Sequence, residues 1–174
     1  SIKRNWYREI EKWLPNSQIQ ILDSGKDKLD SDANVVIINY DLIWREKIEK
    51  QLLARNFQIV IFDEVTYLKE KSTKRTKSAK KISRKSKFNV GLSGTPILNR
   101  PIEFFTFLNI ISPKQFPSQF KFGMRYCNGY HNGFGYVFKG SSRIDELRGL
   151  LQPLMIRRRK DEVLTELPEK VQRN

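Results

Sequence analysis

The sequence predicts an α/β domain built on a mainly parallel sheet flanked by helices. Two apolar runs without alternation, Val35-Val36-Ile37-Ile38 and Ile59-Val60-Ile61-Phe62, read as strands buried on both faces. Between such runs lie stretches whose apolar residues recur at helical spacing. Strand and helix signals alternate as far as about residue 112, the pattern of parallel strands joined by crossover helices.

The elements follow in order. Asn5 to Leu14 carries Trp6, Ile10, Trp13 and Leu14 on one face, with Asn5 as N-cap and Pro15 as stop. Gln18 to Leu22 is a short strand, and 23–34 is a polar loop. After the Val35 strand, 41–56 reads as a helix through Leu42, Trp44, Ile48, Leu52 and Leu53. Gln58 to Phe62 is the next strand, 72–86 a basic helix, and Phe88 to Leu92 a further short strand. Pro101 to Ile111 is a helix with proline in its favoured first turn. Beyond Pro113 the turn dipeptides Asn128-Gly129 and Asn132-Gly133 sit between aromatics and suggest a hairpin-like or mobile loop. Ser142 to Leu151 returns to helix.

Charge narrows the partner. The chain has 33 Lys and Arg against 19 Asp and Glu, a net +14. Such an excess serves a polyanion or a solubilising surface. Ten of the cations lie between Lys69 and Lys87 against one acid, Glu70, and the stretch has no apolar face to lay in lipid. Nucleic-acid phosphate fits better than a membrane, and the longest apolar runs are far short of a membrane span. The single Cys127 excludes an internal disulfide and fits an intracellular compartment. One Cys and one His cannot make a zinc site of ordinary spacing. His131 is expected to do nothing chemical, Cys127 to be a buried or semi-buried thiol, and Trp6, Trp13 and Trp44 to pack in the core rather than stack on bases.

Two strand ends carry the chemistry. Ligands of parallel sheets bind outside the carboxyl ends of the strands, and Ile59 to Phe62 ends in Asp63-Glu64. A nucleoside triphosphate needs Mg²⁺ between its terminal phosphates; Asp63 suits that ion, directly or through water, and Glu64 suits the attacking water. A strand that merely ends in polar residues is the plainer alternative. Thirty residues on, a second strand ends in Gly91-Leu92-Ser93-Gly94-Thr95-Pro96. Its small hydroxyl residues let the backbone approach a phosphate and let Ser93 and Thr95 bond the carboxylates.

At these residues the chain resembles the Swi/Snf-like family of helicase superfamily two, translocases on double-stranded DNA. Asn5-Trp6 with Lys12 to Pro15 is similar to the segment after motif Ia, and Val36 to Tyr40 to motif Ib with Asn39 in place of Thr. Asp63-Glu64-Val65-Thr66 occupies the Asp-Glu-Ala-His box, 72–77 the basic segment behind it, and 92–100 motif III. Met155 to Arg158 with Leu167-Pro168 resembles the signature before the second lobe. Tyr126-Cys127, Phe134-Gly135 and Glu146-Leu147 resemble the annealing-helicase, fork-remodelling branch.

The resemblance implies a RecA-like P-loop NTPase lobe, truncated at its N-terminus, over 1–112, and a helical protrusion and return segment over 113–174. It implies ATP and Mg²⁺ as cofactors and double-stranded DNA as partner. Asp63 and Glu64 become catalytic residues, and Thr66, Ser93, Gly94 and Thr95 coupling residues. Asn39, Tyr40, Lys69, Lys74, Arg75 and Lys77 become backbone contacts to DNA, while Arg157 to Lys160 serves the lobe interface or DNA. Localisation follows the DNA: nuclear in a eukaryote, cytoplasmic or nucleoid-associated in a bacterium or virus. The Gly-x-x-x-x-Gly-Lys-Ser/Thr loop does not occur in 1–174; the family places it upstream, and a second lobe with arginine fingers downstream. Ser1 is not an initiator, so the chain is expected to be part of a longer protein, and without the phosphate loop and the arginine fingers 1–174 is expected not to hydrolyse ATP alone. Val65-Thr66 in place of Ala-His keeps a second reading open, a non-catalytic DNA-binding or scaffold module with the helicase fold.

Overall fold

The structure, a computed structural model, describes residues 2–94 and 101–156. Thr95 and the 157–160 cluster therefore lie outside the described residues. The first helix, α1, runs over Ile2–Trp13. Two parallel strands follow, β1 (Ile19–Ile21) and β2 (Val35–Ile37), in register from Ile19↔Val35 to Ile21↔Ile37. Helix α2 (Glu46–Ala54) crosses over to β3 (Ile59–Phe62). A 3₁₀ turn over Val65–Leu68 and helix α3 (Lys74–Ser83) then lead to β4 (Phe88–Gly91). β4 pairs parallel with β3 from Ile59↔Phe88 to Phe62↔Gly91. Helices α4 (Pro101–Ile111) and α5 (Gln119–Tyr126) come next, then the hairpin β5 (Tyr130–His131) and β6 (Tyr136–Val137), and α6 (Ile144–Leu151).

Two cores share α4. On one side, Phe107 and Ile110 join Leu22, Ile48, Leu52, Phe62, Leu68 and Ile82 beneath the strand pairs. On the other, Phe105 and Leu108 join Phe116, Phe122, Tyr126, Leu147 and Leu151. A helix buried on both sides must be apolar nearly all round, which explains the composition of Pro-Ile-Glu-Phe-Phe-Thr-Phe-Leu-Asn-Ile-Ile. Its one deeply buried hydroxyl is satisfied: Thr106 Oγ1 donates to the Lys69 carbonyl at 3.0 Å.

Several sequence expectations need correction. Asn5 is not an N-cap but lies inside α1, where Lys3 ties the first turn down by donating to the Leu22 carbonyl at 3.0 Å. The second helix begins at Glu46, because Arg45 is extended (φ −67°, ψ 125°) and 41–45 forms turns instead. α3 starts at Lys74 because the Thr73 side chain accepts from the Thr76 N–H, and it ends by Ser83. α5 has no periodic signal strong enough to foretell it; its local cue is Ser118, whose side chain accepts from the Lys121 N–H. β3 is not buried on both faces: Ile59 and Ile61 are 55% and 53% exposed, and Phe88 and Val90 of β4 share that open face.

The three tryptophans are not core residues either. Trp13 is 71% exposed and bonds Glu9 across one helical turn, while Trp6 and Trp44 are half-buried. Trp44 is a platform for cations, with the Arg45 guanidinium 4.3 Å and the Lys74 ammonium 4.9 Å from its ring centre.

Candidate functional site

The carboxyl ends of β3 and β4 lie side by side, held by a short ladder that continues past the strands. Leu92 N–H donates to the Phe62 carbonyl at 2.8 Å, and Val65 N–H returns to the Leu92 carbonyl at 3.0 Å. This brings Asp63-Glu64 against Ser93-Gly94. A Cβ placed on Gly94 would stand 3.7 Å from Glu64 Oε1, so the backbone of the second turn passes directly over the carboxylate. Gly91 makes the approach possible from below. A Cβ there would fall 1.9 Å from Phe107 Cζ and 2.7 Å from Val65 Cγ1, so only hydrogen fits between strand and core.

Glu64 has φ 47° and ψ 62°, a left-handed conformation that costs a non-glycine residue on the order of 1–3 kcal/mol. The turn swings the chain from the strand into the 3₁₀ segment and sets Glu64 beside its neighbour. Val65 and Leu68 are buried under the turn and hold it. Asp63 Oδ1 accepts the Glu64 N–H at 3.0 Å, and Asp63 Oδ2 accepts the Trp6 indole N–H at 2.9 Å. Both carboxylates are half-buried. The Asp63 carbonyl accepts the Tyr40 hydroxyl at 2.8 Å. Burial above all, then the nearby charges of Asp63 and Glu64, pushes the Tyr40 hydroxyl well above its ordinary range, so it stays a neutral donor.

Trp6 is the residue that sequence reasoning missed at this site. Its spacing on α1 matches a core tryptophan, and nothing local announces a partner 57 positions away. Ser93 and Gly94 are exposed beside the acids, and so is Thr66, whose hydroxyl makes no hydrogen bond among the described residues. Among the described residues no group of three or more His, Cys, Asp and Glu side chains gathers in a metal-binding cluster.

The predicted DNA contacts lie after β2, after the 3₁₀ turn and along α3. Asn39 is exposed just past β2, while Tyr40 turns its hydroxyl inward to Asp63. Lys69 is exposed beside the 3₁₀ turn. α3 buries Thr76, Ala79 and Ser83 at helical spacing, and this sets Lys74, Lys77, Lys81 and Arg84 outward as a stripe. Lys81 is taken by Glu49 at 2.9 Å, and Arg75, half-buried, stands 3.9 Å from Asp41. Lys81 and Arg84 extend the stripe beyond the residues picked from the sequence.

A family model of the SNF2-related domain matches residues 1–174. The chain belongs to the SNF2-related domain family. This SNF2-related domain is 37% identical over 175 residues to the SWI/SNF-related matrix-associated actin-dependent regulator of chromatin subfamily A-like protein 1 of Xenopus laevis, with 98% of the chain aligned to 18% of that protein. It is 35% identical over 181 residues to the DNA annealing helicase and endonuclease ZRANB3 of Bos taurus, with 98% of the chain and 17% of the relative covered. The chain thus spans less than a fifth of the length of these two curated relatives. The Sulfolobus solfataricus SWI2/SNF2 ATPase core in complex with dsDNA superimposes with a TM-score of 0.77 at 22% identity, over 95% of this chain and 34% of that one. The SNF2-related domain therefore has the fold of part of a SWI2/SNF2 ATPase core, a RecA-like lobe of parallel strands and helices.

Proposed function

We propose that this domain is part of the first motor lobe of an ATP-driven translocase on double-stranded DNA, of the chromatin- or fork-remodelling kind. One observation carries the reading. In a chain of the SNF2-related family, an Asp-Glu pair and a Ser-Gly turn meet at the carboxyl end of two parallel strands, where α/β sheets bind their ligands. Residues 1–112 form the lobe and 113–174 the protrusion leading towards a second lobe; the two cores joined by α4 support that division.

The residues present suit Mg²⁺-ATP. An ionised carboxylate offers about four lone-pair directions; Asp63 uses two, for Trp6 and for its own turn, and keeps the rest for an ion. Mg²⁺ is commonly held by one or two carboxylates together with waters and phosphates, so a lone Asp63 is enough. When bound, the ion supplies charge neutralisation at the phosphates. Glu64 orients the attacking water and accepts its proton, fixed in place by the strained turn. Ser93 and Gly94, with Thr95, sense the state of that site and couple it to DNA. Lys69, Lys74, Arg75 and Lys77, with Asn39 and the main chain of Tyr40, whose hydroxyl is given to Asp63, meet the phosphate backbone, which gives affinity without reading bases. Such a protein works where DNA is, in the nucleus or nucleoid; no helix among the described residues is long and apolar enough to cross a membrane.

The test is ATP turnover by the intact protein with and without duplex DNA. Duplex should stimulate turnover, and Glu64→Gln should abolish it while DNA binding persists. Turnover unchanged by Glu64→Gln would remove Glu64 from the chemistry. A second reading, a non-catalytic DNA-binding or scaffold module, is favoured by Thr66, which is exposed and makes no bond to the second turn among the described residues. Duplex binding with no turnover at all would support it.

A further inference from the structure

The β5–β6 hairpin lies outside the strand-end site, and nothing in the ATP chemistry uses it. Its turn is built to hold one ring in solvent. Asn132 Oδ1 accepts the N–H groups of Phe134 at 3.0 Å and of Gly135 at 2.9 Å. Asn132 N–H donates to the Gly135 carbonyl at 3.0 Å, and His131 Nδ1 accepts the Gly133 N–H at 3.1 Å. Gly133 has φ +93°, a conformation that a side chain would strain. On this fixed turn Phe134 is 101% exposed. It packs on nothing among the described residues, so its display has no folding rationale there.

The base of the hairpin is equally fixed. Tyr136 stacks on Phe138 at 11° and meets Phe120 of α5 edge-on at 4.7 Å. Phe138 is clamped between Gly123 and Gly129, where added Cβ atoms would come within 2.5 Å and 2.8 Å of its ring. The hairpin is thereby welded to α5, with Phe120 and Tyr136 still half in solvent. The result is a rigid platform of rings.

Charge selects the occupant. From 104 to 144 the sequence has no Asp or Glu, while the exposed Lys121 and Lys139 follow Phe120 and Phe138 in sequence and make no ion pair among the described residues. Among those residues Glu146 reaches α5 only at Arg125 and Tyr126, where it is paired. Exposed rings next in sequence to lysines without an acidic partner suit a flat apolar group carried on a polyanion. A nucleobase is such a group, and away from a duplex end only an unpaired one can offer its face to a single ring at a hairpin tip.

We infer that the β5–β6 hairpin is a stacking surface for unpaired nucleobases of DNA, with Phe134 as the stacking ring and Lys121 and Lys139 attracting the backbone. This rests on the reading that the chain works on DNA, and it goes further, because gripping duplex phosphates requires no base contact. The experiment compares the intact protein with its Phe134→Ala and Phe134→Trp variants by fluorescence anisotropy. The probes are a blunt duplex and the same duplex with a single-stranded thymine tail, at one salt concentration. Phe134→Ala should weaken binding to the tailed DNA about 5- to 150-fold, the equivalent of roughly 1–3 kcal/mol for one stacked base. It should leave the blunt duplex unchanged, and Phe134→Trp should retain the tail effect. Equal affinity of wild type and Phe134→Ala for the tailed DNA overturns the inference, as a surface for a protein partner would give. So does an equal loss on both DNAs. A wild type that binds the tail but not the blunt duplex would instead overturn the duplex reading and keep the hairpin.

Discussion

Trp6 reaches from α1 to the end of β3 and gives its indole N–H to the Oδ2 atom of Asp63, 2.9 Å away. The same residue's carbonyl receives the Tyr40 hydroxyl from the end of β2. Two elements that precede the acids in sequence by more than twenty residues thus fix the acid proposed to hold Mg²⁺.

Trp6→Phe keeps most of the ring and removes only the donor. A hydrogen bond to a charged group contributes about 1.5–3 kcal/mol, and the half-buried position favours the low end. The variant should melt a few degrees lower and should lose up to about tenfold in ATP turnover in the intact protein. Turnover and melting temperature equal to wild type would show that Asp63 is held without it.

Gly91→Ala should destabilise the domain by about 2–3 kcal/mol or more, because the new methyl would overlap Phe107 and Val65. Combined with Phe107→Leu, the two costs should sum to more than the double variant shows, since the second change makes room for the first. Urea denaturation of all three variants measures this coupling; strict additivity would contradict the contact.

The strands and α4 were legible because their signal is local. Val35 to Ile37 and Ile59 to Phe62 are short apolar runs rich in β-branched residues, which favours strand over helix. What covers each face is decided by distant chain, so the open face at Ile59 and Ile61 was not legible. The acids and the Ser-Gly turn could be set side by side from the sequence because they end strands, and Thr95 lies outside the described residues. Trp6 and Trp44 escaped for one reason: helical spacing reports a face, not whether that face meets aliphatic carbon, a carboxylate or two cations.

Duplex affinity should fall with salt through the cations of α3. Removing Lys77 or Lys74 should each flatten the log–log salt dependence by about 0.9, the value of one phosphate contact. Lys81→Gln should flatten it less, because Glu49 already neutralises that ammonium at 2.9 Å. Equal slopes across the three variants, measured by anisotropy titration, would count against α3 as the phosphate-facing helix.

Cys127 is fully buried, and burial pushes its thiol up to about 11 from an ordinary value of 9. Because the folded value is raised, the thiol's contribution to stability is complete below pH 9 and is lost as pH climbs towards 11. The stability difference between wild type and Cys127→Ala should therefore shrink across that window. At pH 8 iodoacetamide should leave the native thiol untouched and alkylate it readily in denaturant. Rapid native alkylation would mean that the second core opens far more often than its packing allows.

Displacement of a third strand from a triplex by the intact protein tests the central claim most directly, because it reads movement along duplex DNA rather than binding. The wild type should displace the third strand only with ATP and Mg²⁺, and Glu64→Gln should bind the same DNA without displacing it. Displacement that persists in Glu64→Gln, or a wild type that hydrolyses ATP yet never displaces the strand, would contradict a translocase built on Asp63-Glu64.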